Sequence, residues 1–368
     1  MPKIVYCIHS LHRAAGMERV LTLKANALSQ LPDYQITIVT AALKGRRPAF
    51  ELDPKVRLID LGLNEHIFRG LYFRRLNRTL QRLRPDICIS MGGTDLFCLP
   101  RCTDGSVKIA ESHFSHDKYL LKYGSSAPGR LYARIRTRRA ERAVSRLDAF
   151  VVLTKADRDD WRERVPVRVE QIYNPLTFSV QRPSALERKR CVAIGRLDAQ
   201  KNFPDMIRAW KGVARDFPDW TLDIYGEGRQ REMLERLIAS EGLSGKVNLR
   251  GRSSQVRREM LDSSCLVLSS TFEGFPMVLL EAAACGLPMV SYDCPCGPSE
   301  IIRDGVNGRL VRPGDIDGLA AAIESVISDD SRRKAFGQAS YETSSDFTLS
   351  RIISRWDEFF RSLIPERH

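Results

Sequence analysis

No uncharged apolar run in this 368-residue sequence approaches the roughly 18 residues that a membrane-spanning helix needs. Histidine is scarce, and none of His12, His66, His116 and His368 has a spacing that suggests a metal site. The nine cysteines are odd in number and lack zinc-type pairing. Cys294 and Cys296 come closest, but a CxC without a second pair is weak evidence, so reduced thiols in a cytoplasmic protein are expected. The opening residues Met1 to His9 form a short β-like run rather than a secretion signal. One glycine, Gly16, stands between His9 and Met17, so no Gly-x-Gly-x-x-Gly follows that run, which argues against a dinucleotide dehydrogenase. Internal repeats, low-complexity tracts and a well-placed Asp-x-Asp metal motif are also missing, and no metal or other cofactor is expected.

The composition, 43% apolar and 28% charged, is that of a globular protein, and the length suits two domains. The net charge of +13 is unevenly placed. Residues 1–175 hold 31 Lys+Arg against 18 Asp+Glu, whereas residues 176–368 hold 27 of each. The halves therefore face different partners, and a basic surface favours nucleic acid or an anionic membrane. Binders of single strands interleave aromatics with their cations, and Arg130–Arg146 contains just Tyr132, so nucleic acid is not expected.

Apolar runs at 4–8, 36–39, 56–59, 87–90, 107–110 and 150–153 predict short buried strands. Helical patterns lie between them, such as 17–31 with a stripe of Val20, Leu23, Ala27 and Leu31. The rhythm pauses in a polar stretch after Asn174-Pro175 and restarts at Cys191. Alternating strands and helices predict parallel sheets with helices on both faces. The expected architecture is two Rossmann-like doubly wound domains facing a central cleft, residues 1–175 and 176–345, closed by a helical segment over 346–368. Trp161, Trp210, Trp220, Trp356 and Cys285 are expected to be packing residues.

Four segments carry candidate chemistry. In Thr271 to Ala282 a strand ends, a turn holds Glu273 and Gly274, and a helix is predicted to open at Pro276. Helix N-termini at the carboxyl ends of such strands suit phosphate or hydroxyl groups, and Glu281, on a largely apolar helix, needs a partner. In Gly195-Arg196-Leu197-Asp198-Ala199-Gln200-Lys201-Asn202 two cations after a strand can neutralise a diphosphate without metal. The loop His9 to Arg19 contains Gly16, where the backbone can approach a ligand. The fourth segment, Glu111-Ser112-His113, places a histidine at a strand end.

Taken together these motifs resemble the GT-B-fold, retaining, nucleotide-sugar glycosyltransferases of family 4, over nearly the whole chain. The resemblance implies that Arg196 and Lys201 grip the donor diphosphate and that Glu281 takes the ribose hydroxyls. It implies that Glu273 binds the transferred sugar, helped by backbone amides along Gly274, Phe275, Pro276, Met277 and Val278. Gly16 would approach the donor, His113 would sit near its sugar, and the last helix would return to the first domain. Two departures stand out: Ala15-Gly16 replaces a Gly-Gly pair, and Pro276 replaces a frequent glycine and removes one amide.

The resemblance implies a hexosyltransferase that passes a sugar, UDP-linked in the commoner case, to a saccharide or lipid-linked acceptor in surface polysaccharide or glycolipid assembly. A nucleotide-sugar epimerase of the same build and a non-enzymatic polyanion binder are the alternatives. The arginines of 69–84 and 129–147 further predict a peripheral attachment to the anionic inner face of the cytoplasmic membrane.

Overall fold

The computed structural model describes residues 1–64 and 69–364. His66 and His368 lie outside the described residues. The chain divides into two compact units, one built from Met1–Thr177 together with the segment from Thr348 onward, the other from Phe178–Phe347.

The first unit holds seven parallel strands: β1 (Lys3–Ile8), β2 (Gln35–Thr40), β3 (Arg57–Asp60), β4 (Ile87–Ser90), β5 (Val107–Glu111), β6 (Ala149–Val152) and β7 (Arg168–Gln171). Their order is β3-β2-β1-β4-β5-β6-β7, with Ile4 of β1 opposite Ile36 and Ile87. The second unit holds β8 (Arg190–Ile194), β9 (Thr221–Tyr225), β10 (Val247–Gly251), β11 (Cys265–Leu268), β12 (Met289–Tyr292) and β13 (Gly308–Val311), ordered β10-β9-β8-β11-β12-β13. Central strands such as β4 and β11 are buried along their whole length, as expected when helices cover both faces. Both units are Rossmann-like. Strand order reverses between β1 and β4 and again between β8 and β11, and open α/β sheets bind ligands outside such switch points.

One expected stripe needs correction, and one strand was not foreseen. The opening helix, Gly16–Gln30, buries Leu21, Lys24, Ala25 and Leu28, while Leu23, Ala27 and Leu31 of the expected stripe are half-buried. An apolar pattern passes over Lys24, which is the centre of the buried face. Strand β13 escapes an apolar search because it opens on a glycine and carries Arg309. Gly308 is required there, since a Cβ would stand 2.1 Å from Met289 O on β12.

The terminal helix, Leu349–Leu363, packs on the opening helix within the first unit. Ile352, Ile353, Trp356, Phe359 and Phe360 join Leu21, Ala25 and Leu28 in one core. Tyr34 Oη donates to Asp357 Oδ1 at 2.5 Å, and Arg361 reaches Asp33 at 2.8 Å. All four tryptophans and Cys285 are buried.

Candidate active site

At the switch point of the second sheet, the loop after β8 is stitched to the loop after β11. Thr271 N–H donates to Gln200 O at 2.9 Å, and Gln200 Nε2 donates to Phe272 O at 3.0 Å. Ser269 Oγ lies 2.9 Å from the carbonyls of both Lys201 and Asn202. This clamp sets Lys201 Nζ 2.6 Å from Glu273 Oε1, with the side chains 15% and 8% exposed. Gly195 makes room for the lysine stem: a Cβ there would lie 3.2 Å from its Cγ, Cδ and Cε.

Beyond Glu273 the chain runs through Gly274 and Phe275 into helix Met277–Ala284. Pro276 is its N-cap, with φ −76° and ψ 88°, and not the expected first helical residue. The ring of Pro276 rests on Gly297 (φ +128°), where a Cβ would come within 2.3 Å of Pro276 Cδ. Leu279 N–H bonds Pro276 O at 2.9 Å, while Met277 and Val278 contribute amides that no helical carbonyl reaches. Glu281, on the same helix, is buried. Arg196 behaves differently: its side chain is three-quarters exposed, 3.4 Å from Asp198 and 3.5 Å from Gln200. The structure thus joins Lys201 to Glu273 beside a helix N-terminus and leaves Arg196 as an extended cation on the same loop. Such a set can hold a diphosphate by charge and a sugar by carboxylate hydrogen bonds.

The first unit has its own site at the β1–β4 switch point. A cavity of about 510 Å³ is enclosed by the loops after β1, β4 and β5, with Phe114, Lys118, Tyr119, Arg136 and Trp161. Glu111, at the end of β5, takes Lys24 Nζ on both carboxylate oxygens, at 2.6 and 2.5 Å, and both side chains are 1% exposed. Lys24 Nζ also sits 4.4 Å from the centre of the Trp356 ring. Burial by itself would raise the Glu111 carboxyl, but Lys24 first and His113 second outweigh it and hold it down to about 2. Burial pulls the Lys24 ammonium below its ordinary range, against the effect of Glu111. His113 lines the cavity with Nε2 3.2 Å from Glu111 Oε1, off the direction of a hydrogen bond. Gly16 opens the first helix in uncrowded space, where a Cβ would meet nothing within 4 Å.

The candidates therefore divide, Gly16 and His113 belonging to the first unit and the rest to the second. Sequence reasoning missed Lys24, Gln200 and Gly297. The signal for Lys24 was a lysine at the helical spacing of Leu21 and Leu28. Among the described residues no three His, Cys, Asp or Glu side chains group so as to hold a metal ion.

Residues 14–178 match the family described as Glycosyltransferase Family 4, and residues 177–343 match Glycosyl transferases group 1. An uncharacterized glycosyltransferase of Haemophilus influenzae is 28% identical over 97% of this chain and 99% of its own. The Campylobacter jejuni GalNAc-alpha-(1->4)-GalNAc-alpha-(1->3)-diNAcBac-PP-undecaprenol alpha-1,4-N-acetyl-D-galactosaminyltransferase is 27% identical over 97% of each chain. A structure of a S. aureus TarM mutant with fondaparinux, alpha-GlcNAc-glycerol and UDP matches with a TM-score of 0.81 over 98% of this chain and all of that one. Its identity is 16%, so that likeness concerns the fold.

Proposed function

The chain belongs to the family 4, group 1 glycosyltransferases of GT-B fold, and we propose that its donor is a UDP-sugar held by the second unit. The observation that carries this reading is the Lys201–Glu273 pair, fixed across two loops at the β8–β11 switch point. In this reading Lys201 and Arg196 neutralise the diphosphate, and the amides from Gly274 to Val278 assist. Glu281 takes the ribose hydroxyls, and Glu273 takes the sugar once Lys201 turns to phosphate. Glu273 and His113 carry the catalytic roles, and Gly16 makes a further donor contact. The bond from the anomeric carbon to the diphosphate breaks with its electron pair on the phosphate oxygen. The acceptor hydroxyl adds to that carbon with retention and passes its proton to the departing phosphate oxygen. Fixed cations stabilise the leaving charge, so transfer is proposed to need no divalent metal.

The first unit's cavity is proposed to take the acceptor, a saccharide or lipid-linked saccharide of surface polysaccharide or glycolipid assembly, at the inner face of the cytoplasmic membrane. Support comes from its volume, its aromatic and cationic lining, and a relative named for an undecaprenol-linked substrate. Thermal shift with UDP, GDP and ADP, followed by donor hydrolysis and transfer, tests the reading. UDP should stabilise the wild-type protein and lose that effect in Lys201→Ala. Absence of stabilisation by any nucleoside diphosphate overturns it.

A further inference from the structure

The two arginine-rich helices of the first unit treat their apolar residues in opposite ways. Helix Arg69–Leu83 buries Tyr72, Leu76 and Leu80 in the core and shows water a row of Arg74, Arg78 and Arg82. Helices Lys118–Tyr123 and Ala127–Val144 form a pair that buries Ala133, Ala140, Ala143 and Val144 but leaves Leu120, Leu121, Leu131, Tyr132 and Ile135 outside. Of nine large hydrophobic residues exposed among those described, these five fall on the pair, and Phe114 lies in the loop just before it. Leu131 is 60% and Ile135 49% exposed. From Lys118 to Ala140 the sequence has seven cations and no acid.

Leu131, Ile135, Arg138 and Arg142 recur at helical spacing, so one side of the longer helix is apolar in its first half and cationic in its second. The cationic half borders a recess of about 200 Å³ lined by Arg101, Arg139, Arg142 and Arg146. None of these four arginines forms an ion pair among the described residues, and gathering like charges without acids is unfavourable unless an anion joins them. The pair is firmly seated: the buried His116 ring lies 3.0 Å from both Glu141 and Asp117 and edge-on to Trp161.

We propose that this helical pair is a docking surface for an anionic lipid bilayer, with Leu120, Leu121, Leu131, Tyr132 and Ile135 entering the interface and the arginine recess holding lipid phosphate. Large exposed apolar groups beside uncompensated arginines fit a surface that is apolar below and anionic above. Phe114, Lys118, Tyr119 and Arg136 border the cavity as well as the pair, so docking brings the cavity to the headgroups. The value of that position rests on the acceptor reading above; the docking itself does not.

Co-sedimentation of the full chain with vesicles of phosphatidylcholine, alone or mixed with phosphatidylglycerol, tests the proposal. Binding is expected with the mixed vesicles alone and should weaken steeply with salt. Leu131→Ser with Ile135→Ser should weaken binding roughly tenfold at constant charge. Arg139→Glu with Arg142→Glu should abolish it, whereas Arg74→Glu with Arg78→Glu should change it little. All three variants should keep the wild-type response to UDP, whether or not that response exists, so the two readings fail separately. Three results overturn the proposal: no binding to mixed vesicles at low salt, equal loss from the Arg74 and Arg78 variant, or intact binding in the serine variant while a dimer dissociates in sedimentation velocity.

Discussion

Each sheet has a lysine–carboxylate pair near the point where its strand order reverses, and the two pairs sit in different surroundings. Lys24 and Glu111 are 1% exposed and lie under an aromatic ring. Lys201 and Glu273 are as close, but their loops border solvent and a helix start. A buried pair is held by the fold and holds it in turn, because either charge left alone in the core is costly. A pair at a loop junction can exchange its partner for a ligand with less disturbance. The first pair supports the loop of His113 from beneath, and the second is the pair proposed above to meet the donor diphosphate.

Breaking the buried pair should have the largest effect. Lys24→Met leaves Glu111 buried without its main partner, and denaturant unfolding should show a loss of about 3–5 kcal/mol. Adding Glu111→Leu should recover most of it. A loss under about 1 kcal/mol from Lys24→Met would mean the pair contributes no support.

The donor-side pair should separate binding from folding. Lys201→Ala should weaken UDP binding by about tenfold, roughly 1.4 kcal/mol, with a smaller stability loss than Lys24→Met. Glu281→Ala should lower transfer by about tenfold or more through loss of a two-point contact to ribose. Unchanged UDP affinity in the Lys201 variant, measured by calorimetry, removes the donor assignment.

Acid sharpens the contrast. The Glu111 carboxyl is lower in the folded chain, about 2, than its ordinary 4.5. Its stabilisation is therefore complete above the ordinary value and is lost as pH falls from there through about 2. Glu111→Gln should flatten that part of the stability curve. An acid limb of the same slope in the variant would show that other carboxylates govern it.

Smaller effects are expected outside both pairs. Arg196→Ala should weaken UDP binding by about threefold, less than Lys201→Ala, because an extended surface cation is loosely held. Excess chelator should leave transfer unchanged. Activity that vanishes and returns with Mn²⁺ would replace the cationic donor site with a metal-assisted one.

Much of the proposed donor site was legible because its parts are local. Gly195 to Asn202 and Thr271 to Glu281 are continuous segments at strand ends, each showing its charges, its glycine and its helix start in order. The N-terminal site was less legible. Lys24 reads as a solvated helix residue until Glu111 and Trp356 arrive, from 87 positions downstream and from the terminal helix. Pro276 was placed one position too far into its helix because proline suits both the N-cap and the first turn, and the contact with Gly297 decides between them.

The amino-acid sequence alone determined the alternation of strand and helix, the two Rossmann-like units, and the charged loops at their strand ends. Local spacing carries that information, since period and turn chemistry act over a few residues. Tertiary structure decided the partners: Lys201 with Glu273 across 72 positions, and Lys24 with Glu111. It also decided the fate of two similar helices. Leu76 and Leu80 meet a core, while Leu131 and Ile135, spaced alike among arginines, meet none. Periodicity shows which side of a helix is apolar, but whether anything covers that side depends on where distant parts of the chain come to rest.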